Sequence, residues 1–162
     1  MKPEEILGRL LIEKHLTIAT AESCTGGLLS SKLTDISGSS DYIKLNFVTY
    51  ANDAKNEILG VSWDILNSYG AVSEQCAQSM ADGLQAKTNC DIALCTTGIA
   101  GPTGGTKEKP VGLVYISAKY NGELYKKLFD DFYKLVREIN TAGLRTRKTP
   151  IITIKFFYSS RF

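Results

Sequence analysis

Ser23 and Cys24 are neighbouring nucleophile-type side chains in the run Thr20-Ala21-Glu22-Ser23-Cys24-Thr25-Gly26-Gly27, which joins a strand-forming segment to a helix-forming one. A hydroxyl or thiol placed there can attack an acyl centre once a neighbour takes its proton. The corner supplies the other half of such chemistry, because backbone N–H groups at a helix start carry partial positive charge and can hold an anion or an oxyanion. Gly26 and Gly27 would let a ligand approach the backbone closely. Cys24 is intrinsically the better nucleophile, but adjacent side chains leaving a strand point to opposite sides, so one of the two is expected to face a pocket. Glu22, beside them, either pairs with a lysine or caps the turn. The sole histidine, His15, falls at the end of the first predicted helix, where a solvated residue favoured by the helix dipole is expected. That argues against Ser-His-Asp and Cys-His arrangements and against a two-histidine metal site within one chain. The base must then be Lys, Tyr, Asp or Glu.

A second unusual segment, Thr97-Gly98-Ile99-Ala100-Gly101-Pro102-Thr103-Gly104-Gly105-Thr106, carries four of the fourteen glycines. It lacks the Gly-Lys-Ser/Thr ending of a P-loop, and its glycines do not fit G-x-G-x-x-G. What remains is a loop rich in backbone donors and hydroxyls, suited to a phosphate or ribose, or else a plain surface connection.

The elements that must position these residues alternate as in a layered α/β domain. Hydrophobic spacing predicts a helix over 3–14, a strand over 17–21 and a helix over 26–34, closed by the turn-forming Ser37-Gly38-Ser39-Ser40. A β-rich run over 44–50 leads into a short helix over 54–59 capped by Asn52 or Asp53, so Tyr50 and Lys55 flank a second strand-to-helix corner. Ser62 is placed to cap a helix through Ser68, and Ser73 a longer one over 74–87. The nearly all-apolar strand over 91–97 belongs at the centre of the sheet. Segments 111–119 and 123–129 are predicted to form a hairpin across Asn121-Gly122, which makes the sheet mixed.

At 162 residues, 43% hydrophobic and 22% charged, the chain reads as one globular domain, and a net charge of +2 gives no argument for binding nucleic acid. No apolar run reaches membrane-spanning length, and the first residues lack the apolar core of a secretory signal, so a cytoplasmic protein without membrane partners is expected. Cys24, Cys76, Cys90 and Cys95 show neither C-x-x-C nor zinc spacing; three lie in segments that read as core. No metal cluster and no cofactor motif is evident. A homo-oligomer, most commonly a dimer for small enzymes, is the default.

Together, the 20–27 run, Phe47-Val48-Thr49-Tyr50 with Ala54-Lys55, Gly70-Ala71-Val72-Ser73, Thr97-Gly98-Ile99-Ala100-Gly101-Pro102 with Gly104-Gly105, and Lys109-Pro110-Val111-Gly112 resemble, in order and spacing, the CinA C-terminal domain family. The likeness covers about residues 5 to 138. It implies the stand-alone form of a nicotinamide-nucleotide amidohydrolase, which converts nicotinamide mononucleotide to nicotinate mononucleotide and ammonia in pyridine nucleotide salvage. It also implies a three-layer α/β/α sandwich on a mixed, mostly parallel five-stranded sheet. Amide hydrolysis needs a nucleophile, an oxyanion site and a proton for the departing ammonia. Ser23 is preferred as nucleophile, partly from the resemblance, with Lys55 as base and Tyr50 orienting the pair or relaying the proton. Lys55 can serve only if its pKa is lowered from about 10.4. The amides of residues 24–27 would form the oxyanion site. Thr25, Gly26, Gly27, Ser73, Thr97, Gly98, Gly101 and Arg137 are the expected substrate-binding residues, with Arg137 gripping a phosphate or carboxylate.

After about Ile139 the likeness stops. A domain over 1–140 is followed by a basic, β-prone tail over 141–162, as if a terminal helix had been replaced by a strand-like segment or the reading frame had shifted. The alternative reading, from another class, is a non-catalytic nucleotide-binding or interaction module linked to competence and DNA damage response.

Overall fold

In the computed structural model, which describes residues 2–120 and 152–154, eleven elements are arranged around one sheet. The helices are α1 (Pro3–Glu13), α2 (Leu28–Thr34), α3 (Asn52–Leu59), α4 (Trp63–Ser68) and α5 (Glu74–Thr88), with a single 3₁₀ turn over Ser39–Asp41. The strands are β1 (Ile18–Glu22), β2 (Ile43–Val48), β3 (Ile92–Gly98), β4 (Val114–Tyr120) and β5 (Ile152–Ile154). Their order is β2-β1-β3-β4-β5. β1 pairs in parallel with β2 and β3, β3 is antiparallel to β4, and β4 is parallel to β5. The expected mixed, mostly parallel α/β sheet is therefore present, with the apolar 92–98 strand at its centre.

Among the described residues its mixed character comes from β3 and β4. The antiparallel partner of β4 is β3, reached through the glycine-rich connection over residues 99–113. The predicted second hairpin arm, 123–129, lies outside the described residues. The β-prone tail supplies β5, with Tyr115 opposite Thr153.

Side-chain alternation divides the interior into two cores, one on each face of the sheet. Ile18 in β1 and Ile92 and Leu94 in β3 pack against Leu7, Leu10 and Leu11 of α1 and Leu29 and Leu33 of α2. Ala19 and Ala21, with Ala93 and Cys95, turn the other way onto Leu59, Leu66, Met80 and Leu84 of α3, α4 and α5. Small residues on this second face let helices come close. Gly83 takes this furthest, since a Cβ there would overlap the carbonyl of Leu59 at the end of α3. The same alternation, continued past the strand end, settles which side of the sheet each chemically interesting residue faces.

Candidate active site

Along β1 the odd positions Ala19 and Ala21 face α3 and α5, so Glu22 must face α2 and Ser23 must face α3. Both do. The Glu22 carboxylate is fully buried and accepts hydrogen bonds from the N–H groups of Gly27 (3.1 Å), Leu29 (3.0 Å) and Ser30 (2.7 Å), and from the Ser30 hydroxyl. Thr20 joins this network through Ser30 Oγ (2.7 Å) and Asn46 Oδ1 (3.0 Å). Glu22 thus satisfies N–H groups that would otherwise be orphaned at the start of α2. The turn-capping alternative for Glu22 is the one realised. This corrects one expectation: the first turn of α2 is filled by the protein's own carboxylate, and the amides of Gly26 and Gly27 are committed, the former to Ser23 O at 3.2 Å. Of residues 24–27, only Cys24 is among those that border the cavity around Ser23 and Lys55.

Ser23 turns to the opposite face and meets Lys55. The Lys55 ammonium nitrogen lies 3.0 Å from Ser23 Oγ, 2.8 Å from the carbonyl of Thr49 and 3.0 Å from that of Tyr50. Lys55 is fully buried and Ser23 is 8% exposed. Helix α3 delivers Lys55 on its first turns, and the close α3–α5 contact at Gly83 fixes where that helix sits. Burial lowers the Lys55 pKa from its ordinary 10.5, since losing water penalises the charged amine, while the nearby Cys76 and Cys24 groups oppose this. The geometry orients the amine as well. Two carbonyl oxygens can only accept, so they take two N–H bonds; the third tetrahedral position of the nitrogen points at Ser23 Oγ, either donating as an ammonium or receiving the serine proton as an amine.

Tyr50 holds the pair through its backbone carbonyl. Its ring is 73% exposed and borders the mouth of the cavity. The Ser23–Lys55 contact is direct, so a phenol relay between them is not required.

Around Ser23 and Lys55 opens a cavity of about 370 Å³, bordered by Cys24, Tyr50, Ala71, Val72, Thr97, Gly98 and the loop through Gly104. Thr97, Gly98 and Gly101 thus all border this cavity. Thr97 also donates from its hydroxyl to Ala71 O (2.8 Å), tying the end of β3 to the 70–73 turn. Ser23 and Cys24 both border the cavity, but Cys24 also packs against the core on the α1 and α2 side, opposite to Ser23. Burial pushes the Cys24 thiol up to about 12, and its own backbone N–H only partly offsets this, so the sulfur stays protonated and weakly nucleophilic near neutrality.

Other expected ligands have structural duties. Ser73 Oγ accepts from Cys76 N (3.1 Å) and donates to Gly70 O (2.8 Å), making it the N-cap of α5. The Thr25 hydroxyl is shared with Thr96 at 2.8 Å. Gly26 and Gly27 have φ of 60° and 98°, the left-handed region, so they form the turn itself and are not among the described residues that border the cavity. Arg137 lies outside the described residues. His15 is exposed beyond the end of α1. Cys76, Cys90 and Cys95 are buried and free, as core residues should be. The expected cap of α3 is corrected too: Ala51 occupies that position, without a side-chain bond.

Thr49 was not singled out from sequence, nor were Ala71, Val72 and Thr96. Thr49 acts through its carbonyl, which leaves no mark in residue type. Among the described residues no group of three or more metal-binding side chains comes together, and no helix is long and apolar enough to cross a membrane.

An open α/β sheet with a serine at the end of β1, a buried lysine from the next crossover and a glycine-rich wall after β3 defines an α/β domain with a serine–lysine site. The chain belongs to the CinA C-terminal domain family, whose model matches residues 1–141. It is 50% identical over 144 residues to a Thermoanaerobacter sp. (strain X514) protein named for competence-damage induction, covering 89% of this chain and 33% of that protein. A CinA-like protein of Chlorobium chlorochromatii is 53% identical over 119 residues, or 74% of this chain and 28% of that one. The chain therefore spans about a third of the length of such curated relatives. Among solved structures, the competence/damage inducible protein CihA of Agrobacterium tumefaciens matches with a TM-score of 0.72 and 41% identity, covering 88% of this chain and 92% of that one.

Proposed function

We propose that this protein is an amidohydrolase that deamidates nicotinamide mononucleotide, with Ser23 as nucleophile and Lys55 as general base. The observation that carries the reading is the 3.0 Å contact between Ser23 Oγ and a fully buried Lys55 whose pKa is lowered by burial.

The chemistry follows from the geometry. As Ser23 Oγ attacks the carboxamide carbon, its proton passes to the Lys55 lone pair and the carbonyl electrons move onto oxygen, which the Cys24 amide would stabilise. When the tetrahedral adduct collapses, the C–N bond breaks and the departing nitrogen takes the proton from Lys55, leaving as ammonia. An ester on Ser23 remains. Water then gives a proton to Lys55 and attacks the ester carbonyl; the C–Oγ bond breaks, Ser23 recovers the proton, and nicotinate mononucleotide is released. The uncharged wall of Thr97, Gly98 and residues 99–104 presents backbone donors and hydroxyls to ribose and phosphate.

The test is ammonia release from nicotinamide mononucleotide by wild type, Ser23→Ala and Lys55→Ala. Turnover by wild type alone is expected. Binding of the nucleotide by all three proteins with no ammonia from any would reject the amidase and leave a nucleotide-binding module.

A further inference from the structure

Thr96 is the last residue of β3 before the cavity wall begins, and it is fully buried although polar. It holds the nucleophile turn by two separate groups. Its carbonyl accepts the Ser23 N–H at 3.0 Å, and its hydroxyl shares a hydrogen bond with the Thr25 hydroxyl at 2.8 Å. Alternation explains why it can. In β3, Ile92 and Leu94 face α1 and α2 while Ala93 and Cys95 face α5, so Thr96 points to the side of the Ser23–Gly26 turn and Thr97 to the side of the 70–73 turn. Two successive threonines at one strand end thus anchor the two sides of the cavity, Thr97 through Ala71 O and Thr96 through Thr25.

The turn needs such an anchor. Its other ties are made by backbone N–H groups, that of Gly26 to Ser23 O at 3.2 Å, that of Leu28 to Thr25 O at 3.1 Å and that of Gly27 to the Glu22 carboxylate, and its two glycines in left-handed conformation impose little stiffness of their own. A hydroxyl tether on Thr25 holds that residue against the end of β3, and with it the turn that carries Ser23 and Cys24.

We propose that Thr96 is a positioning residue for the oxyanion site: its hydroxyl, bonded to that of Thr25, holds the turn that presents Ser23 and the Cys24 amide to the carbonyl under attack. The assignment rests on the amidohydrolase reading, and it predicts a loss confined to the chemical step. A misaimed donor costs transition-state stabilisation while leaving the rest of the cavity to bind the ground state.

Thr96→Val keeps the shape and the backbone carbonyl and removes only the hydroxyl. For nicotinamide mononucleotide, kcat is expected to fall about 10- to 100-fold with KM changed less than about threefold. Thr96→Ser restores kcat to within about threefold of wild type, and Thr25→Val reproduces the loss from the more exposed side. The Thr25→Val/Thr96→Val double variant is no worse than either single, because the two hydroxyls act as one contact. A second readout needs no amide substrate: labelling of Ser23 by a fluorophosphonate, in which a P–O bond forms, the P–F bond breaks and the serine proton passes to Lys55. Charge develops on the phosphoryl oxygen there too, so the labelling rate of Thr96→Val is expected to fall in parallel.

Wild type that labels at Ser23 but leaves nicotinamide mononucleotide intact rejects the amidase reading; slowed labelling of Thr96→Val then still supports the positioning role. Labelling and kcat of Thr96→Val at wild-type levels, a loss shared equally by KM, additive effects in the double variant, or failure of Thr96→Ser to rescue each overturn it. So does a wild type whose Ser23 cannot be labelled. Should Thr96→Val not fold, Thr25→Val decides by the same criteria.

Discussion

At the scale of single residues, the site turns on one amine whose charge is made costly by burial. The proposed mechanism requires a neutral Lys55, so kcat/KM is expected to rise with pH along a limb centred below the ordinary lysine value of 10.5, because burial lowers the pKa. A profile flat from pH 6 to 10 would contradict the assignment. Stability has a matching sign. Between the lowered folded-state value and 10.5 the unfolded chain's lysine binds a proton that the folded chain's does not, so the Lys55 contribution to unfolding free energy rises with pH across that window, while the buried thiols, raised by burial, act in the opposite sense near and above 9. Denaturant melts of wild type and Lys55→Met isolate it: the wild-type stability relative to the variant should rise with pH, since the thiols are common to both. Cys24 gives the opposite test: its thiol, raised to about 12, is protonated near neutrality, so Cys24→Ala is expected to keep kcat within about threefold, whereas Ser23→Ala loses roughly 10³-fold or more.

At the scale of elements, the Ser23–Lys55 contact depends on how two strand-to-helix corners are braced. Helix α3 carries Lys55, and its closing residue Leu59 lies against Gly83 of α5 closely enough that a Cβ would overlap the carbonyl. Gly83→Ala must push α3 outward, with an expected cost of about 1–3 kcal/mol by chemical denaturation. It should also lower kcat by more than the fraction unfolded explains, because the Lys55–Ser23 distance opens. Glu22 braces the other corner. Replacing it by alanine leaves the Gly27, Leu29 and Ser30 N–H groups without their acceptor and is expected to destabilise the fold by roughly 1–3 kcal/mol, measured as a lowered denaturation midpoint. The α2 start was legible in sequence as a helix beginning. That its amides were already spoken for was not, since a glutamate before a glycine turn can point to either side until the strand register is known.

At the scale of the whole molecule, the cavity belongs to no single element: β1, β3, the 70–73 turn, the start of α3 and the 99–104 loop all border it. A ligand that fits should therefore stabilise the folded chain as a unit. Ser23→Ala, which keeps the cavity but lacks the nucleophile, is expected to be stabilised by nicotinamide mononucleotide by about 2.7 kcal/mol at a hundredfold excess over Kd, read as a raised melting temperature without ammonia release. No shift for this variant or for wild type at millimolar nucleotide would remove the substrate assignment while leaving the Ser23–Lys55 pair in place. The tail enters at this scale too, because β5 extends the sheet beyond β4, a role that its run of β-branched and aromatic residues suggested and that no local motif could place.

The amino-acid sequence by itself determined the α/β layering, the helix limits to within a residue or two, the apolar central strand and the identity of the Ser23 and Lys55 pair. These rest on local periodicity, on the absence of a usable histidine and on motif order, all of which survive without coordinates. Only the tertiary structure decided what each polar side chain near the site does. Thr25 was read as a ligand and its hydroxyl is tied to Thr96, Tyr50 contributes a carbonyl, and Thr96 enters unannounced, whereas the cap at Ser73 was already legible. The reason is physical: a hydroxyl or a carbonyl is satisfied by whatever partner folding brings within about 3 Å, and partners such as residues 25 and 96 are joined by strand pairing, which sequence spacing does not record.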